Sequence, residues 1–292
     1  MINIDAMIRK EIENGYGDIN AQSKVCQDLI LKAISSSKFN RNVTIKGGVV
    51  MRSKTKNVRR ATKDVDLDFI RYSLSNESID SFVEHLNCLE GLKIERVGRI
   101  TELKQQDYRG KRIFVRITDL NGFSIENKLD LGVHNRLNIQ QEEFCFDIAY
   151  DDEGASLLIN SNEQMFAEKL RSLLKWGVLS NRYKDIFDMY YLIQFVDKEK
   201  LKQCLDVYIL DDPGMRENDL QDIYRRINMV FNDKMYRKNI DTRDANWLDE
   251  NTDTVLKGIM EFLRKLEEYI DVTRQQKNLS QKKETNKRFL HS

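Results

Sequence analysis

Asp64, Asp66 and Asp68 alternate with Val65, Leu67 and Phe69. In a β-strand this alternation puts the three carboxylates on one face and the apolar side chains on the other. Carboxylates this close repel one another, and the row is tolerable where water or a divalent cation offsets the repulsion. Upstream, Gly47-Gly48 ends a short strand-like run, Val43 to Ile45, and a glycine pair lets backbone approach a phosphate closely. A third acid, Asp130, stands on the polar face of a later run together with Glu126 and Lys128. Asp64, Asp66 and Asp130 are thus candidate ligands for Mg²⁺ (or Mn²⁺), which binds through one or two carboxylates plus substrate phosphates. Two such ions support in-line displacement at phosphorus. An ordinary solvated strand face is the competing reading. It leaves the glycine turn unexplained for Asp64 and Asp66, and is favoured for Asp68.

A second set of charged residues accompanies the first. Between Arg41 and Lys63 there are eight Lys/Arg residues and no acid, so the run is either a solvated loop or an aid to bringing in a polyphosphate or an RNA backbone. Arg60, just before the acidic strand, is its best candidate for a specific nucleotide contact. Further along, Met165, Phe166, Ala167, Leu170, Leu173 and Leu174 form one apolar arc of a helix, with Lys169 inside it. A lysine on an apolar face either snorkels or points into a site. Asp185 and Asp188 share a face of the next helix, and as buried carboxylates they need partners. One reading is a structural ion pair joining two helices; the other has Lys169 on nucleotide phosphates with Asp185 and Asp188 positioning it or the incoming substrate. His134 follows the Asp130 strand and reads as a surface turn residue, with a base as the alternative. No G-x-S-x-G elbow or Walker A loop is present.

Two amphipathic helices open the chain, with Ile4, Met7, Ile8 and Ile12 on one stripe and Val25, Leu29, Ile30, Ala33 and Ile34 on the other. The spacing then predicts a strand at Val43–Ile45, a glycine turn, a helix from Val49, a strand at Asp64–Phe69 and a helix near 78–90. Strands are expected at 92–97, 112–118, 123–133 and 144–148. Asn121-Gly122 makes the second and third of these a hairpin. From about residue 160 the pattern is helical, starting at Ser161 with Gln164 as a capping box, then 184–196, 218–231 and 252–271. The fold expected is α+β, with one domain over 1–155 and a helical domain over 156–292 whose basic tail frays from about residue 274.

A charged fraction of 33% beside 40% hydrophobic residues describes a soluble globular chain, and the net charge of +1 gives no global argument for nucleic acid. No apolar run approaches the roughly 18 residues of a membrane span, and the N-terminal residues carry no secretory pattern. Four scattered cysteines without a C-x-x-C pair, and three histidines, argue for reduced thiols and against zinc. A cytoplasmic protein with no membrane partner is expected.

Five segments in order, Ile45-Lys46-Gly47-Gly48, Arg60-Ala-Thr62-Lys-Asp64-Val-Asp66-Leu, Lys128-Leu-Asp130-Leu, Ala167-Glu168-Lys169-Leu170 and Arg182-Tyr-Lys-Asp185-Ile-Phe-Asp188-Met-Tyr190, carry a resemblance. The chain resembles the AbiEii-type nucleotidyltransferase toxins of the DNA polymerase β-like superfamily. The resemblance implies a nucleotidyltransferase-like mixed sheet flanked by helices, and metal-dependent transfer of a nucleoside monophosphate from an NTP. It implies Asp64 and Asp66 as metal ligands and Asp130 as the third carboxylate, helping to activate the attacking hydroxyl. Gly47 and Gly48 would seat the triphosphate, and Lys169 and Asp185 match positions that look essential to activity. An RNA acceptor (the 3′ end of tRNA in some relatives) and a cognate antitoxin are the implied partners. Transfer to a protein or small molecule, or a silent nucleotide-binding module, are the alternatives. The family commonly has Thr or Ser after the glycine pair, where this chain has Val49.

Overall fold

A computed structural model describes residues 2–103, 110–136, 138–242 and 244–289, with side chains as far as Thr273. The chain divides into two compact units, Met1–Ser161 and Asn162–Ser292.

The first unit is a seven-stranded mixed sheet with flanking helices. Its strands are β1 (Val43–Lys46), β2 (Asp64–Phe69), β3 (Leu92–Leu103), β4 (Gly110–Asp119), β5 (Ser124–Val133), β6 (Glu142–Phe146) and β7 (Ala155–Ile159). They lie in the order β3-β4-β5-β2-β1-β7-β6. β2 runs parallel to β5, β1 parallel to β7, and the remaining neighbours are antiparallel. The helices are α1 (Ile4–Glu13), α2 (Asp18–Ser36), α3 (Gly47–Thr55) and α4 (Asn76–His85).

The register of β2 follows from what it buries. Val65, Leu67 and Phe69 are fully enclosed, each stabilising the fold by about 1.5–3 kcal/mol relative to exposure. A slip of one residue would exchange them for three aspartates. Phe69 packs edge-on against Phe82 of α4 at 5.0 Å and Tyr72 at 5.1 Å, which ties the end of β2 to the layer beneath. Behind the sheet, α3 is held to α2 by Arg52, whose guanidinium lies 2.8 Å from the fully buried Asp28 carboxylate.

Hairpin β4–β5 turns at Leu120-Asn121-Gly122, where Gly122 adopts φ +80 and the Asp119 carboxylate accepts the Asn121 and Phe123 amides. The sequence pattern misses β7, a five-residue strand lying across the boundary expected at 155/156. It buries Ala155, Leu157 and Ile159 by simple alternation, too briefly to stand out beside the helical pattern that follows. β3 also extends beyond the expected 92–97.

The second unit is helical: α5 (Asn162–Trp176), α6 (Lys184–Leu192), α7 (Lys198–Leu205), α8 (Leu220–Asn232), α9 (Lys234–Ile240) and α10 (Thr252–Phe289). Val255, Leu256, Ile259, Leu263, Leu266 and Ile270 form the buried stripe of α10. The backbone of α10 stays helical through the basic segment expected to fray. That segment contains no Gly or Pro and is rich in Lys, Gln and Arg, all good helix formers.

Candidate functional site

The strand register assembles a row of charges across four strands on one face of the sheet. Lys46 of β1 is opposite Asp66 of β2, Asp66 is opposite Asp130 of β5, and Asp130 is opposite Arg112 of β4. One pleat further, Asp64 is opposite Lys128. Directly paired residues point to the same side of a sheet, so Asp64, Asp66 and Asp130 share a face, with Asp66 and Asp130 as immediate neighbours on parallel strands.

Like charges brought this close need compensation, and the chain's own cations supply it. Arg112 takes Asp130 with both arms of its guanidinium, Nε to Oδ1 at 2.7 Å and Nη2 to Oδ2 at 2.8 Å. Lys128 Nζ is 2.8 Å from Asp64, and Lys46 Nζ lies 2.7 Å from Asp68. The hydrogen bonds to Asp130 raise the Arg112 pKa above its ordinary value. Burial works against the rise, while the charges of Asp130, Asp64 and Asp66 add to it.

Among the described residues, no group of three or more His, Cys, Asp or Glu is gathered tightly enough to hold a metal ion. The donors on this face are nonetheless all carboxylate oxygens, the ligand type that suits a hard divalent cation. Lys128 and Arg112 stand where added positive charge would act. The residues therefore fit such an ion once those two side chains yield Asp64 and Asp130. Arg112→Gln removes one competing cation and is expected to tighten Mn²⁺ binding about tenfold, the scale of a lost charged hydrogen bond. Calorimetry without nucleotide measures this, and an unchanged affinity would show that Arg112 does not compete.

The glycine pair is explained by close packing against the same row. Gly47 has φ +67, and a Cβ there would lie 2.4 Å from Asp66 Oδ2. At Gly48 a Cβ would meet Thr62 Oγ1 at 2.5 Å. The two positions are the first residues of α3, whose N-terminal amides and dipole favour an anion. Gly47→Ala combines about 1–2 kcal/mol of left-handed strain with displacement of Asp66. Nucleotidyl transfer should fall about 10²-fold, the cost of misplacing a reacting group by about 1 Å. Rates measured beside thermal unfolding separate that loss from instability.

Several expectations meet a different environment. Arg60 closes a 3₁₀ turn, Val58–Arg60, and is buried rather than displayed on a loop. Within the basic run, Lys46 and Arg52 are likewise buried and paired with Asp68 and Asp28, so the run is not a uniformly solvated arm. His134 is buried rather than at the surface, and its ring Nε2 lies 3.3 Å from the Ile139 carbonyl and from Gln141 Nε2. Val49 is enclosed in the core, so its side chain does not face solvent beside the glycine turn.

In the second unit Lys169 Nζ is 2.6 Å from Asp185 Oδ1 and 2.8 Å from Asp188 Oδ2. Asp188 is completely buried and also accepts the indole N–H of Trp247 at 3.0 Å. The arc position of Lys169 is thus explained by an ion triad joining α5 and α6.

Sequence reasoning gave no role to Arg112, Lys46 or Trp247. For Arg112 the signal was present: Arg112 and Asp130 lie nine residues either side of Asn121, so the hairpin alone pairs them. Trp247 gave no comparable signal, because its contact with Asp188 spans 59 residues.

Among solved structures the chain is similar to an antigenic nucleotidyltransferase-like protein from Paracoccidioides brasiliensis. The identity is 14% and the TM-score 0.45, over 73% of this chain and 92% of that one. No curated protein matches in sequence. The family described as nucleotidyl transferase AbiEii toxin, type IV toxin–antitoxin system, matches residues 29–271. This span takes in both the carboxylate row and the Lys169 triad, and the chain belongs to the AbiEii nucleotidyltransferase toxin family.

Proposed function

We propose that this protein transfers a nucleoside monophosphate from an NTP to a hydroxyl of an RNA acceptor, with the 3′ end of tRNA as the leading candidate, and that a cognate antitoxin restrains it. Family membership supports nucleotidyl transfer as the class of reaction. The observation that carries the reading is the register of Asp66 beside Asp130, with the Gly47 backbone pressed against Asp66.

In the reaction the acceptor oxygen bonds to the α-phosphorus while the α–β bridging oxygen departs with pyrophosphate. Asp64, Asp66 and Asp130 would hold Mg²⁺ or Mn²⁺, which when bound supplies Lewis-acid stabilisation of charge on the phosphoryl oxygens. Gly47 and Gly48 offer backbone N–H groups to the triphosphate, while Arg60, buried in its 3₁₀ turn, supports the entry to the acidic strand. Asp130 helps activate the acceptor hydroxyl. Lys128 and Arg112, once released from their carboxylates, are positive charges available to an incoming polyphosphate. Within the second unit, Lys169, Asp185 and Asp188 form the ion triad that joins α5 and α6, and a direct part in the reaction for Lys169 or Asp185 is tested by whether their variants lose transfer while they stay folded.

Incubation with each labelled NTP and either total RNA or a cell lysate tests the proposal. Label is expected in RNA; label in protein alone would redirect the chemistry to a protein acceptor.

A further inference from the structure

The sheet face that carries the carboxylates also carries a partly exposed aromatic ring. Phe114 of β4 is 42% exposed, whereas its strand neighbours Ile113 and Val115 are fully buried on the opposite face. The other exposed large apolar side chains of this unit, among the described residues, sit on helices (Ile12, Ile19) or at the hairpin turn (Leu120, Phe123). A single exposed apolar residue needs no explanation. The position of this one does.

Phe114 is directly opposite Lys128, and Lys128 is directly opposite Asp64. The ring therefore stands in the Asp64 row, two strand spacings away, about 10 Å. Alternation along β4 puts Arg112 and Arg116 on its two sides on the same face. Arg112 binds Asp130, and Arg116 binds Glu126 at 2.6 Å. A partly exposed π-face is thus flanked by two guanidinium groups along its strand, with Lys128 opposite on one side and Val97 of β3 on the other, beside carboxylates proposed to carry the reaction. More than half of the ring is covered, and the exposed remainder contributes nothing to folding.

We propose that Phe114 is the stacking platform for the terminal unpaired base of a single-stranded RNA acceptor, with Arg112, Arg116 and Lys128 beside its phosphates. Every base has a π-face, so such a platform accepts RNA ends without reading their sequence, while the basic groups follow the backbone. The position suits the acceptor: the ring lies in the Asp64 row two strand spacings, roughly 10 Å, from that carboxylate. This inference rests on the reading of the carboxylate face as a nucleotidyl-transfer site with an RNA acceptor.

The test compares the full-length wild type with Phe114→Ala and Phe114→Trp. Anisotropy of a 5′-labelled single-stranded oligoribonucleotide, in Mg²⁺ without NTP, gives Kd independently of turnover. Labelled transfer gives KM for RNA and for NTP separately. Phe114→Ala is expected to weaken RNA binding and raise the RNA KM about tenfold or more, on the scale of base–aromatic stacking, with the NTP KM unchanged. Phe114→Trp should restore both values. Thermal unfolding is measured beside each Kd, because Phe114→Ala gives up the covered part of the ring while Phe114→Trp should unfold as wild type.

Unchanged RNA affinity in Phe114→Ala would overturn the platform and leave the transfer reading standing. A parallel rise in the NTP KM would assign the ring to the donor base and also overturn it. Failure of the wild type to label any RNA would instead remove the underlying reading, whatever the Kd values.

Discussion

Asp66→Asn is expected to lower nucleotidyl transfer about 10³-fold and to abolish toxicity, while the protein remains as stable as wild type. Asp66 occupies the centre of the charge row, opposite both Lys46 and Asp130 and against the Gly47 backbone. The amide keeps the shape that packs on Gly47 and removes the negative charge. A loss of this size is the upper end of what removing one group that stabilises transition-state charge costs. Stability should hold or rise slightly, because one of several crowded carboxylates has been neutralised. Incorporation of labelled nucleotide, growth of expressing cells and urea unfolding together check the result. A variant that still poisons cells would remove Asp66 from the mechanism.

The second large effect concerns stability. Lys169→Met leaves Asp188, fully buried, without the ammonium 2.8 Å away. Removing one partner of a buried ion pair costs about 3–5 kcal/mol, a large share of the roughly 5–15 kcal/mol that holds a typical domain together. Trp247 still donates to Asp188 and offsets part of the loss. Adding Asp188→Asn to Lys169→Met should recover much of the stability, since the stranded charge is then gone. Asp185→Asn should cost less, because that carboxylate is partly in water. Urea midpoints at constant m compare all three variants with wild type. If Lys169→Met unfolds at the wild-type midpoint, the triad contributes nothing to the fold. The comparison also decides how any inactivity of Lys169 variants is read, since loss of fold and loss of a direct part in the reaction both silence the enzyme.

The parts of the fold visible in the sequence were those governed by short-range rules. The period-two pattern gave β2 its bounds and its two faces, because a row of aspartates cannot share a face with Val65, Leu67 and Phe69 in a stable sheet. Asn121-Gly122 marked the hairpin. Asp64, Asp66 and Asp130 were expected to meet on one face, and the register brings them to neighbouring positions. What was hidden depends on distant pairings. Lys46 to Asp68 and Arg52 to Asp28 join segments more than twenty residues apart, so the basic run looked solvated when parts of it are structural. Trp247 reaches Asp188 from an irregular segment with no periodicity to flag it. β7 was lost to length, since five residues of alternation do not outweigh a helical signal that begins two residues later.

The pairing of Asp64 with Lys128 and of Asp130 with Arg112 bears on how such a toxin is made. In small metal-dependent domains the ion acts as part of the core, and the polypeptide stays unfolded until it is loaded. Here the strands neutralise their own acids with 2.7–2.8 Å contacts. The sheet's acids have partners of their own, so folding and the proposed loading of an ion can be separate events.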